Sequence, residues 1–280
     1  MVKAVRGGES GPWPGARISD MDYRYARRRS AASETGGDGQ MAPSEDETAA
    51  RSARDGAAPI DALADFLRDG RLFHQADAAA QRVQTALYRL VAEGAPVALD
   101  RLAAAVGLGR DEVAEILEAI PPSDFQRDEA DRILGFRGLG QVPSRHRLTL
   151  ADPILAGHKL YAWCAFDCLF LPALLDGAME VASTCPVTRA EIRLTVTPTG
   201  VAQVRPESVV MSFVTPETAS LRADLRGTFC CHVNFFASEA AAEAWRADNQ
   251  GAAIISLDEG FELGRIRNQA GFGAAPGERG

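Results

Sequence analysis

Two hydrophobic periods follow one another along this chain, and their order confines it to an α+β fold. From Pro59, apolar residues recur at helical spacing as Ile60, Leu63, Phe66 and Leu67, with Gly70 as a stop. A second helix is predicted from Asp77, its N-cap, to Ala92, with Val83, Leu87, Leu90 and Val91 on one side. Pro96 to Leu99 is short and strand-like. Asp100 is expected to cap a helix through Leu102 and Val106. Gly107-Leu108-Gly109 then turns the chain into a further helix, Arg110 to Ile120. Ile133 to Gly140 has the pattern of the two strands of a wing. Residues 58–145 are therefore expected to form a winged-helix-like helical domain.

From about Arg147 the character changes. Lys159 to Leu175 is predicted as one strongly apolar helix. Glu191 to Thr197 alternates as a strand should, and Pro198-Thr199-Gly200 marks a turn. Val201–Val204, Val209–Val214, Phe229–Phe236 and Ala253–Leu257 complete a mostly antiparallel sheet. Its flanking helices open at Thr215-Pro216 and at Ser238. This second domain spans 146–270, followed by a flexible C-terminus over 271–280. Residues 1–57, rich in Gly, Ser, Ala, Arg and acidic residues without an apolar period, are expected to be a disordered tail.

A formal charge of −8 speaks against a protein that coats nucleic acid, because such affinity comes from Lys and Arg neutralising phosphates. The helix that would read DNA carries Asp111, Glu112, Glu115 and Glu118 against Arg110, so no nucleic-acid partner is expected. The longest apolar run, Cys168 to Leu175, is too short for a membrane span, and the N-terminus lacks a secretory apolar core. The expected location is the cytoplasm, with no membrane partner.

Five cysteines, Cys164, Cys168, Cys185, Cys230 and Cys231, all fall beyond residue 163. An odd number in a cytoplasmic chain does not describe a disulfide framework and points to thiol chemistry or soft-metal binding. On the predicted helix, Cys164 and Asp167 are three apart and share a face. An aspartate in so apolar a helix needs a reason to be there. It could take a thiol proton and deliver it elsewhere, or it could bond a buried backbone group or arginine. On the predicted strand, Cys230 and Cys231 point to opposite faces, so one of them can meet Cys164 while the other packs. His232 would lie on the Cys230 side, as a structural histidine.

The segments Tyr161-Ala-Trp-Cys-Ala-Phe-Asp167, Phe229-Cys-Cys-His-Val-Asn-Phe-Phe-Ala-Ser238 and Phe261-Glu-Leu-Gly-Arg265 resemble the organomercurial (alkylmercury) lyase family. Leu194 to Pro198 and Ser183 to Cys185 fit the same pattern, and the resemblance extends over about residues 59–265. It implies an N-terminal winged-helix-like domain and a catalytic domain over 146–270. It also implies cleavage of R–Hg⁺ to R–H and Hg²⁺ without an organic cofactor. Cys164 and Cys230 would be the mercury-binding thiols, Asp167 the proton handler and a further possible metal contact, and Cys185 a structural residue. Cys168 stands where the family is expected to have another residue type, and packing is its expected role. The substrate would be an organomercurial, and the product would pass to small thiols or to mercuric ion reductase.

The residues agree with that chemistry, since soft mercury prefers thiolates. Tyr161, Trp163, Phe166 and Phe229 are available to wall a pocket. Two rivals remain: a winged-helix metal-sensing regulator that binds Hg²⁺ or another soft metal through its cysteines, and a structural zinc domain using Cys164, Cys168, Cys230 and His232. Zinc sites of that kind usually contain a CxxC pair, which this chain lacks.

Overall fold

The computed structural model describes residues 58–68, 77–152, 155 and 157–273. The expected tail over 1–57, the stop at Gly70 and residues 274–280 lie outside them. Four helices come first: α1 (Ala58–Arg68), α2 (Ala78–Ala92), α3 (Leu99–Val106) and α4 (Arg110–Glu118). Asp77 caps α2 as expected, its carboxylate accepting the Ala80 N–H at 2.8 Å. The cap of α3, however, is Ala98, and Asp100 lies inside its first turn, where a negative charge suits the helix dipole. Val83, Leu87, Val91, Leu102 and Val113 bury the apolar stripe that the spacing defined.

An eight-stranded sheet then runs in the order β1-β2-β3-β5-β4-β6-β7-β8. Its strands are β1 (Phe125–Arg127), β2 (Ile133–Phe136), β3 (Leu139–Gly140), β4 (His146–Leu150), β5 (Leu160–Ala162), β6 (Met179–Thr184), β7 (Glu191–Thr197) and β8 (Gly200–Arg205). Every pairing in it is antiparallel. The wing strands β2 and β3 are therefore not a separate hairpin, because β3 pairs with β5 through Leu139–Ala162 and Gly140–Tyr161. The expected boundary at 145/146 falls between two strands of this one sheet.

Helix α5 (Ala165–Leu175) follows β5 and is buried along nearly its whole length. A second sheet, in the order β10-β9-β11, joins β9 (Val210–Phe213), β10 (Phe235–Phe236) and β11 (Ala253–Ser256). Around it lie α6 (Thr218–Ala223), α7 (Leu225–Thr228), α8 (Glu239–Arg246) and α9 (Leu257–Phe272). Ser238 caps α8 as predicted. Helix α6 starts two residues after Pro216 and is capped at Glu217, so Pro216 precedes the helix instead of opening it. Helix α9, which the sequence reading did not foresee, begins with a Ser256–Glu259 capping box and ends with Phe272 edge-on to Tyr88 at 6.3 Å.

A buried ion pair joins the helices to the wing: Arg137 Nε donates to Asp124 at 2.8 Å, and Arg137 Nη1 donates to the Gln84 side-chain oxygen at 2.8 Å. Burial raises the Asp124 carboxyl, and Arg137 offsets that only in part. Removing one partner would strand the other charge in the core. Asp124→Ala is expected to cost about 3–5 kcal/mol, read from urea-induced unfolding.

Candidate active site

The segment expected as one helix over 159–175 is divided. Leu160–Ala162 forms β5 with neighbours on both sides, Cys164 is extended (φ −147°, ψ 176°), and the helix begins at Ala165. An apolar run of this length reads alike as a buried strand or a buried helix, and here the ladder to β3 and β4 decides. Cys164 is thus the N-cap of α5, and Asp167 is its third residue. The two remain neighbours for a different reason than shared helix spacing: the Asp167 carboxylate accepts the Cys164 N–H at 2.8 Å. The Cys164 thiol in turn meets the Asp167 backbone N–H. A sulfur completes the capping box where Ser or Thr usually stands. A helix N-terminus favours an anion at this position.

The second expected element is also different. Cys230–His232 is a short 3-10 turn following α7, and the strand is only Phe235–Phe236. The backbone groups of the turn bind side chains and one another instead of a ladder. Ser212 Oγ donates to the His232 carbonyl at 2.7 Å and accepts the Asn234 N–H at 3.0 Å. Arg145 Nη1 donates to Asn234 Oδ1 at 2.6 Å. The Ala165 N–H donates to the Val233 carbonyl at 3.1 Å, which ties this turn to the first turn of α5. Cys230 faces inward, and Cys231 is exposed rather than packed.

Cys164 Sγ, a carboxylate oxygen of Asp167 and Cys230 Sγ lie within 4.8 Å of one another, all three buried. No other such group of three or more His, Cys, Asp or Glu ligands forms among the described residues. Cys168 and His232 do not join it, against the four-ligand zinc arrangement. The Cys168 thiol instead donates to the Cys164 carbonyl at 3.5 Å. Cys185 is buried and accepts the Thr188 N–H.

Burial raises the Asp167 carboxyl from its usual range to about 6, against the hydrogen bonds from Cys164 and the nearby charge of Arg267. Cys164 is pushed well up by burial first, then by its hydrogen bond with Cys230 and by the Asp167 charge. For Cys230 the largest influence is that hydrogen bond with Cys164, which pulls its thiol down. Burial and Asp167 outweigh it, while Arg226 helps to lower it. Burial and the Asp167 charge thus hold both thiols in the protonated form more firmly than a free cysteine.

Phe166 and Phe229 pack together with Phe213, which the sequence reading missed. These rings meet edge-on at 5.1–6.2 Å. Trp163 lies under the Arg226 guanidinium at 5.5 Å, and Tyr161 is half-buried. Gly138, also missed, has φ +103°, and a Cβ there would overlap the Asp167 carboxylate. Gly138→Ala is expected to displace Asp167 and lower turnover about tenfold or more. Steady-state rates measured beside a thermal melt would check this. A cavity of about 1000 Å³ opens elsewhere, on the solvent face of β4, β6, β7 and β8 beside Arg147, Arg193 and Arg205, and includes none of the three cluster residues.

Among the described residues, no helix is long and apolar enough to cross a membrane. The sequence model of the alkylmercury lyase family matches residues 139–267, and that of the helix-turn-helix domain of alkylmercury lyase matches 58–137. An alkylmercury lyase of Staphylococcus epidermidis is 38% identical over 179 residues, 64% of this chain and 78% of that protein. One of Pseudomonas putida is 36% identical over 180 residues, 64% of this chain and 80% of that protein. In three dimensions the fold resembles a solved structure described as the mercury-bound form of MerB2. The TM-score is 0.62 at 22% identity, covering 74% of this chain and 98% of that one. By matched domains and by relatives covered over more than three quarters of their length, this chain belongs to the alkylmercury lyase family.

Proposed function

We propose that the chain is a cytoplasmic organomercurial lyase catalysing R–Hg⁺ + H⁺ → R–H + Hg²⁺ at Cys164, Asp167 and Cys230. The observation that carries this is the convergence of two buried thiols and one buried carboxylate within 4.8 Å. Cys230 forms a bond to the mercury of R–Hg⁺ as its S–H bond breaks, and that proton leaves to solvent. The Cys164 proton passes to Asp167, and Cys164 becomes the second sulfur ligand. Two thiolates push electron density onto carbon, Asp167 delivers the proton there, R–H departs, and Hg²⁺ stays on the two sulfurs. Phe166 and Phe229, which stand next to cluster residues in the sequence and pack edge-on, would offer an apolar surface to the organic group.

On this reading residues 146–270 carry the chemistry, and 58–145 are a structural partner that reads no nucleic acid. Asp111, Glu112, Glu115 and Glu118 are all exposed on α4, a repulsive face for phosphates, which also disfavours a metal-sensing regulator. Small thiols, or mercuric ion reductase, would take the product. Incubating the protein with phenylmercury and excess thiol should release benzene. Bound phenylmercury without benzene would leave only a binding protein.

The reaction needs Asp167 ionised to receive the thiol proton. With its carboxyl raised to about 6, turnover should fall as pH drops through about 6 and level off above it. Initial rates between pH 4.5 and 8 would show this. A flat profile across that window would exclude Asp167 as the proton acceptor.

A further inference from the structure

Arg267, on α9, has 1% of its surface exposed, an expensive location for a guanidinium. Its Nη2 donates to the Tyr88 hydroxyl at 2.9 Å, and its Nη1 donates to Asn268 Oδ1 at 2.8 Å. The Phe170 ring lies 4.1 Å from its central carbon. A guanidinium can only donate, so it dictates what its partners do next. The Tyr88 oxygen is the acceptor, and its own proton is turned to the Arg137 carbonyl at 2.9 Å. With its Oδ1 occupied, Asn268 presents its NH₂ to the Phe170 carbonyl at 3.0 Å. One buried side chain thus sets the direction of two hydrogen bonds, one to the peptide entering Gly138 and one to helix α5.

Asp167 lies between those anchors. It precedes Phe170 by about one turn of α5, and its carboxylate occupies the space that a Cβ on Gly138 would need. We infer that Arg267 is a positioning residue for carbon–mercury cleavage: through Tyr88 and Asn268 it fixes the Arg137–Gly138 peptide and helix α5 at the spacing that holds the Asp167 carboxylate against both thiols. This rests on Asp167 being the proton carrier. The Arg267 charge also favours the ionised carboxylate.

The test compares Tyr88→Phe, Arg267→Met, their combination, Arg267→Lys and Asp167→Asn in the full chain. Each is measured for kcat and KM with phenylmercury, for Hg²⁺ stoichiometry and for Tm. Tyr88→Phe removes one oxygen and keeps the ring. It should lower kcat about tenfold, with KM and Hg²⁺ binding unchanged, as expected for a misplaced reacting group. Arg267→Met should lose at least as much. The double variant should be no worse than Arg267→Met, because both act through the same hydroxyl. Arg267→Lys keeps one donor and should recover part of kcat. Full kcat in Tyr88→Phe and in folded Arg267→Met, with only Tm reduced, would overturn the positioning role. If Arg267→Met does not fold, Tyr88→Phe decides alone. If Asp167→Asn is inactive while Tyr88→Phe is fully active, only the positioning role falls. If Asp167→Asn cleaves normally, the proton-carrier reading falls and takes the positioning role with it.

Discussion

Asp167→Asn is expected to slow carbon–mercury cleavage by about 10²–10⁴-fold, the usual scale for losing a positioned acid–base group. Asparagine keeps the shape, and its Oδ1 can still accept the Cys164 N–H, so the cap of α5 should survive. Stability moves the other way. The folded carboxyl, at about 6, lies above its ordinary value of 3.8, so folding prefers the protonated form. The stability this confers is full below about pH 4 and is lost as pH rises through 6. At pH 7 the ionised carboxylate therefore burdens the fold by an amount on the order of 2–3 kcal/mol, which asparagine removes. The variant should melt at the same temperature or higher, bind Hg²⁺ through Cys164 and Cys230, and release almost no product. Melts, Hg²⁺ titration and benzene release on one preparation would show it. A well-folded variant that cleaves at near-normal rate would mean that thiol or water supplies the proton.

Cys164→Ser and Cys230→Ser are each expected to abolish turnover, because a hydroxyl is a poor ligand for a soft metal and carbon needs two sulfur donors behind the mercury. Cys231→Ser should stay active, since that thiol is exposed on the far side of the 3-10 turn. Each inactive variant should still hold R–Hg⁺ by its remaining sulfur, and retention of radiolabelled methylmercury after gel filtration would show it. Activity in Cys230→Ser together with inactivity in Cys231→Ser would reverse the assignment.

The helices of the first unit were legible because Val83, Leu87 and Val91 repeat at a helical period that no strand could bury. The pairing of Cys164 with Asp167 and Cys230 was legible from motif resemblance, yet both local structures behind it were not. Leu160–Ala162 became a strand because β3 and β4 flank it, and those partners are remote in sequence. Phe229–Phe236 has strand-like composition, but Ser212 and Asn234 satisfy its backbone with side chains, which no periodicity reveals. Strand alternation and the 3-10 turn both separate Cys230 from Cys231, so the cysteine that meets Cys164 was singled out through a geometry the chain does not have. Gly138, Tyr88 and Arg267 lie 29, 79 and 100 residues from Asp167 in sequence, and only the folded chain brings them to it.

The wing hairpin has hydrogen-bonded neighbours on both flanks, β1 on one and β5 on the other. It cannot rotate without tearing a ladder that ends one residue before Trp163. A signal arriving through β2 and β3 would thus reach the thiols by unzipping strands, as local unfolding, and not by hinge motion. Slow, all-or-none loss of amide protection across β2, β3 and β5 together would be its signature in hydrogen exchange.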